Sequence, residues 1–182
     1  MTIYVKDLVK YGKTFSGDLL TRPVGRKYYD AAAKKTKAAM QGEVVVVDFD
    51  KIRVIDPSFA DEFVIKLINL SSENDFYIRL KNLGRSAANN ISSIIDSYSR
   101  FAQTELAVPV EEITESGSHF IGNLDGIKAD IAEFFRINKT AGLETIINKF
   151  SITESQTEEI LESLNSLRII RKDDSGKYFS VL

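Results

Sequence analysis

At 182 residues, with 27% charged and 43% hydrophobic side chains, the chain has room for one large domain or two small ones and the composition of a folded, soluble protein. Its 24 Lys and Arg nearly balance 26 Asp and Glu, and the resulting formal charge of −2 excludes a general polyanion binder, so charge-driven binding must come from a local patch. The absence of cysteine excludes disulfides, zinc ribbons and thiol nucleophiles, and the one histidine, His119, excludes multi-histidine metal sites.

Ile3 to Val5 predicts a short strand, and Phe15 to Leu20 a second one bent at Gly17. Arg22 to Met40 reads as a helix. Thr21 is its expected N-cap, Pro23 suits its first turn, five alanines fill it and Gly42 ends it. Glu43 to Phe49, with four consecutive valines, predicts a strand buried on both faces in the middle of a parallel sheet. Ser58 then opens a helix, with Asp61 three residues on in a capping-box-like pattern. Phe59, Phe63, Leu67 and Leu70 form its apolar face. Phe76 to Leu80 is the next strand. Gly84 precedes a further helix with a stripe of Ile91, Ile94, Ile95, Tyr98 and Phe101. Strand and helix alternating in this way predict an α/β domain over 1–102 with a mixed, mainly parallel sheet.

Residues 103–119 read as an acidic connector carrying Glu105, Glu111, Glu112 and Glu115 and ending in Ser116-Gly117-Ser118, with Val108 and Val110 around Pro109 able to form an edge strand. From 120 to 182 the pattern becomes three helices and a hairpin. Leu124, Ile127, Ile131, Phe134 and Phe135 mark the first helix and Gly142 to Phe150 the second. Thr153 caps the third, and the hairpin turns at Asp173 to Gly176. This order resembles an α+β winged helix-turn-helix. No glycine-rich phosphate loop occurs, the longest apolar run (Val44 to Val47) is far below the ~20 residues of a membrane span, and no basic-then-apolar leader opens the sequence. The expectation is a cytoplasmic protein that is not an enzyme and has no metal, cofactor or membrane partner.

The block Val45-Val46-Val47-Asp48-Phe49, followed by Ile55-Asp56-Pro57-Ser58-Phe59-Ala60-Asp61-Glu62-Phe63, resembles the STAS-like family of unknown function, DUF4325. Leu20-Thr21-Arg22 and Gly25-Arg26 upstream look like that family's approach to its first long helix, and the resemblance runs over roughly residues 10 to 102. The wider STAS fold is similar to the anti-sigma factor antagonists. The resemblance therefore implies a regulatory binding module whose partner is a GHKL-type ATPase or kinase, switched by phosphorylation of a Ser or Thr at the start of the helix after the second long strand. Here Asp56 is followed by Pro57, and the hydroxyl comes one place later at Ser58. Ser58 is then either a phosphoacceptor or simply the helix cap.

The expected partner contact is Ser58, Phe59, Asp61 and Glu62. Arg22, Asp48 and Asp56 could converge at one end of the sheet as a ligand cluster, against the plainer pairing of Arg22 with Asp61 or Glu62. Arg26, Lys27, Lys34, Lys35 and Lys37 make the first long helix basic, which reads first as a solvated face. In the C-terminal segment, Glu154, Glu158, Glu159 and Glu162 on the third helix argue against a DNA-reading role and for protein contact or homodimerisation. The alternative is a transcription regulator with the STAS-like part as its sensor. Its DNA contacts would be Arg168, Arg171, Lys172 and Lys177 on the wing, with Asp173 and Asp174 at the tip.

Overall fold

Three parallel strands form the central sheet of the computed structural model: β1 (Thr2–Tyr4), β3 (Val44–Asp48) and β5 (Tyr77–Lys81), in the order β1-β3-β5. The structure describes residues 1–9, 17–111, 119–124 and 126–182. Phe15, and Glu112, Glu115, Ser116, Gly117 and Ser118 of the expected connector, lie outside them. In register, Ile3 pairs with Val47 and Val47 with Leu80, so Ile3, Val45, Val47, Ile78 and Leu80 share the face turned to the helices. The valine run does occupy the central strand. It is not buried on both faces: Val44 and Val46 are only half-buried, on a side shared with Arg79 and Lys81.

Parallel strands need long crossovers. Between β1 and β3 run β2 (Asp18–Leu19) and helix α1 (Arg22–Thr36). Between β3 and β5 run β4 (Val54–Ile55), α2 (Pro57–Ala60), a π-helical turn (Asp61–Ile65) and α3 (Lys66–Glu73). Helix α1 stops at Thr36 rather than Met40. Ala38 and Ala39 bond back to Lys35 and Thr36 as a turn, and Met40 is 74% exposed, so no packing at Met40 prolongs the helix. Gly42 sits at φ +73° and donates its N–H to the Asp75 carbonyl. Tyr28 of α1 packs edge-on against Phe59 and Phe63, and Phe63 against Phe49. All four rings are buried, and such clusters dominate core energetics.

Helix α4 (Arg85–Ala102) follows Gly84 and buries Ile91 and Ile95. Its stripe ends at Tyr98, because Phe101, expected to be inward, is 91% exposed in the last turn. The segment expected to be a connector carries real structure. Leu106 to Val110 is buried, β6 (Ala107–Pro109) pairs antiparallel with β7 (Phe120–Gly122), and Val110 bridges to Leu80 of the central sheet. The side chains of this strand alternate between two cores: Leu106, Val108 and Val110 belong to the first, and Ala107 to the second.

The second core gathers α5 (Gly126–Asn138), α6 (Leu143–Phe150) and α7 (Glu154–Ser166) with a small antiparallel sheet. Its strands β8 (Thr140–Ala141), β10 (Tyr178–Ser180) and β9 (Ile170–Lys172) lie in that order. Ile131, Phe135, Ile146, Leu161, Leu164 and Ile170 fill it. Thr153 caps α7 as expected, closing a capping box with Gln156. Among the described residues, no helix is long and apolar enough to cross a membrane.

Candidate functional site

The pairing of β2 with β4 brings the approach to α1 beside the approach to α2. Leu19 lies against Ile55, and the Asp56 N–H donates to the Leu19 carbonyl. Asp56 then serves both helices. Its Oδ1 accepts the Phe59 N–H at 2.6 Å and its Oδ2 accepts the Thr21 N–H at 2.9 Å. Asp56 is therefore the N-cap of α2, with Pro57 in the first helical position. This corrects the cap assigned to Ser58, which stands one residue inside the helix, half-buried, with its hydroxyl not spent on the cap. Thr21 sits at φ +77°, a strained conformation for a β-branched residue, and the bond to Asp56 holds it there.

Asp56→Ala should destabilise the protein by about 1–2 kcal/mol through loss of the cap, whereas Ser58→Ala should change it by less than about 0.5 kcal/mol. Urea unfolding measures both, and the reverse ranking would restore Ser58 as the cap.

One turn further on, Asp61 and Glu62 meet the start of α1. Arg22 Nη1 lies 2.5 Å from Asp61 Oδ2 and 3.4 Å from Glu62 Oε1, Arg26 Nη2 lies 3.6 Å from Glu62 Oε1, and Lys66 Nζ lies 2.6 Å from Glu62 Oε2. The wider π-helical turn puts more residues in each turn, so neighbouring carboxylates fan out less and both reach Arg22. Glu62 is 5% exposed, a buried carboxylate ringed by three cations. The Lys66 ammonium bonded to it, and then Arg26, hold its carboxyl below the ordinary range against the desolvation of burial. Arg22 is raised in turn, chiefly by its bond to Asp61.

The helices can approach this closely because residue 25 is glycine. A Cβ there would lie 2.8 Å from Glu62 Cβ and 3.1 Å from the Phe59 carbonyl oxygen. The result is a solvent-facing rim of Arg22, Arg26, Asp61 and Lys66 over a buried anion. The exposed side chains of Lys27, Lys34, Lys35 and Lys37 continue along α1.

Residues 31–86 match the family model of the STAS-like domain of unknown function, DUF4325. No curated protein matches the chain. The STAS-like match takes in β3, β5, Asp56, Ser58, Asp61, Glu62 and Lys66, while Arg22, Gly25 and Arg26 stand upstream of it.

Among the described residues no contact joins Asp48 to Arg22 or Asp56. Asp48, at the end of the STAS-like segment's central strand, accepts from the Asp50 N–H at 2.8 Å and from Asn82 Nδ2 at 2.7 Å. It ties together the two loops that leave β3 and β5. Phe59, expected at the contact, is fully buried against Tyr28 and Phe63. Of the expected contact set, Ser58 and Asp61 reach the surface, and Glu62 acts from beneath it. The site residue that motif reading passed over is Lys66, while Gly25 was read only as part of the approach to the first long helix. Lys66 follows Glu62 at i+4, a spacing that signals a helical ion pair.

Of the four basic residues expected on the wing, Arg168 and Arg171 contact the STAS-like segment. Arg168 Nη1 lies 2.7 Å from Asp75 Oδ1, Nη2 donates to the Ser72 carbonyl, and the guanidinium stacks 4.8 Å from the Tyr77 ring centroid. Arg171 donates to the Gly42 carbonyl at 3.4 Å. Lys172 and Lys177 lie over Tyr178 and Phe179. Arg168 is thus spent on a contact between the two halves of the chain and is not free for a phosphate backbone.

The Arg168 bond holds the Asp75 carboxyl below its ordinary range. A depressed carboxylate contributes stability above its unfolded value of about 3.9 and loses it as pH falls through the folded value. The stability gap between wild type and Arg168→Gln should therefore be constant from about pH 5 to 8 and shrink below about pH 4. Urea titrations across that range test this, and a gap unchanged at the acid end would mean the pair does not tie the halves together.

Proposed function

We propose that the chain is a regulatory protein-interaction module of the cytoplasm. In this reading the rim formed by Ser58, Asp61, Arg22 and Arg26 is the surface that a protein partner contacts, and the family resemblance makes that partner a GHKL-type ATPase or kinase. The observation that carries the reading is the Glu62 cluster. A buried carboxylate fixes three cations in place, at a point where Gly25 allows two helices to touch and Thr21 is held under strain. Ordered charges on a rigid base suit recognition, because little side-chain entropy remains to be lost on binding. The Ser58 hydroxyl, free of the capping duty, stands beside this rim. A phosphate there would add close to two negative charges next to Asp61 and alter the surface.

The helix–strand–helix–helix–hairpin order of the C-terminal half is read as a winged helix that acts through protein contact. Glu154, Glu158, Glu159 and Glu162 are exposed along α7, where they would oppose a polyanion, and Arg168 is already paired.

The test is an affinity pull-down from native lysate with the full chain, split into nuclease-treated and untreated halves, comparing wild type with Arg26→Glu and Ser58→Glu. The expected result is one ATPase or kinase retained after nuclease and weakened by at least about tenfold in both variants, the scale of a lost charged contact. Retention unchanged in both would remove this rim from the contact. Captured proteins that vanish with nuclease would favour the DNA-binding alternative.

A further inference from the structure

Phe101 is the most exposed large apolar side chain among the described residues, at 91%. It stands in the last turn of α4, next to the exposed Arg100. Close by, an apolar groove of about 290 Å³ opens to solvent between α5 and α7. Ile127, Ile152 and Ile160 line it, with Lys128 on the α5 wall and Glu159 on the α7 wall. The three isoleucines are half-buried and pack against the second core. The groove is smaller than the ~300–1,000 Å³ usual for metabolite sites and suits one bulky side chain.

The ring and the groove belong to one part of the surface. The Thr104 N–H donates to the Ser99 carbonyl, so the chain leaving α4 stays at the helix end, and Glu105 there lies 2.9 Å from Lys128 Nζ through its Oε2. That pair neutralises Lys128 and leaves Glu159 as the open charge of the groove. Arg100 is the open charge beside the ring. Its Nε donates to the Asp96 carbonyl of its own helix, and neither Arg100 nor Glu159 has an ion-pair partner among the described residues. An exposed aromatic ring beside an apolar groove, each flanked by an unpaired charge of opposite sign, is a self-complementary surface.

We propose that Phe101 enters the groove of a second copy of this chain, and that the two copies form a symmetric dimer. One two-fold axis inserts both rings at once, because each copy carries the ring and the groove side by side. Arg100 of each copy meets Glu159 of the other, which fixes the orientation of the pair. The formal charge of −2 sets up little general repulsion between copies. The inference rests on reading the C-terminal half as a protein-contact domain and supplies its partner, while the Glu62 rim takes no part.

The test is sedimentation velocity of the full chain from about 5 to 500 μM, where wild type is expected to pass from monomer to dimer. Phe101→Ala removes an exposed side chain and should leave the melting temperature of the dilute protein as it is. It should weaken the dimer by at least about tenfold, the scale of an aromatic anchor. Arg100→Glu and Glu159→Arg should each weaken it, and the two together should regain most of the loss. A wild type that stays monomeric throughout overturns the proposal. So does a dimer indifferent to Phe101→Ala, or a double variant no tighter than either single one. In each of these cases the pull-down still reads the Glu62 rim separately, since Phe101 and the groove form no part of it.

Discussion

Phe59→Ala is expected to lower the unfolding free energy by about 3–5 kcal/mol, the range for emptying an aromatic position in a packed core. Phe59 has no exposed surface, and its ring stands 5.4 Å from Tyr28 and 5.3 Å from Phe63. Removing it opens a cavity beneath the candidate site, and neither neighbouring helix can collapse into it while Asp56 pins both starts. Chemical denaturation gives the number directly. A loss under about 1 kcal/mol together with loss of partner binding would mean that Phe59 turns outward to a partner, as the sequence block alone suggested.

Gly25→Ala is the second large effect, and its sign separates two physical terms. Helix propensity alone would make alanine better by about 1 kcal/mol. Steric contact opposes this, since the new methyl would fall 2.8 Å from Glu62 Cβ and 3.1 Å from a backbone oxygen that cannot rotate away. Overpacking of this kind costs about 1–3 kcal/mol, so a net loss of about 1–2 kcal/mol is expected. The same displacement would carry Arg22 and Arg26 away from Glu62, so partner affinity should fall with stability. A stabilised Gly25→Ala protein would show that α1 rests more loosely on α2 than the geometry requires.

Much of the α/β half was legible because its signals are local. The valine run and Gly84 before α4, like Thr153 before α7 in the other half, each report on their own element. The Ser58 cap was misplaced because Ser58 with Asp61 and Asp56 with Phe59 offer competing caps two residues apart. Pro57 settles it, since a proline is comfortable in the first helical position and so puts the cap at Asp56. Phe101 continued a true periodicity past the point where α4 still has a core beneath it. Arg22 with Asp61 or Glu62 was readable as an ion pair, but Glu62 as the buried centre of three cations was not, since it depends on how two helices cross at Gly25. Arg168 had no chance of being read correctly, because its partner Asp75 lies 93 residues away in sequence.

The strand β6 has a practical consequence for anyone dividing this protein. One of its faces belongs to each core, and its hydrogen-bonding edge is completed by β7, which brings Ile121 into the first core. A fragment ended at residue 119 would lose β7, bare a row of amides beside apolar side chains, and present an edge that invites intermolecular pairing. Ending it after residue 124 keeps β6 paired with β7 and leaves Ala107, Phe120 and Leu124 without their second-core neighbours. The boundary for dissection by expression or limited proteolysis therefore lies beyond β7 rather than within the acidic stretch between β6 and β7.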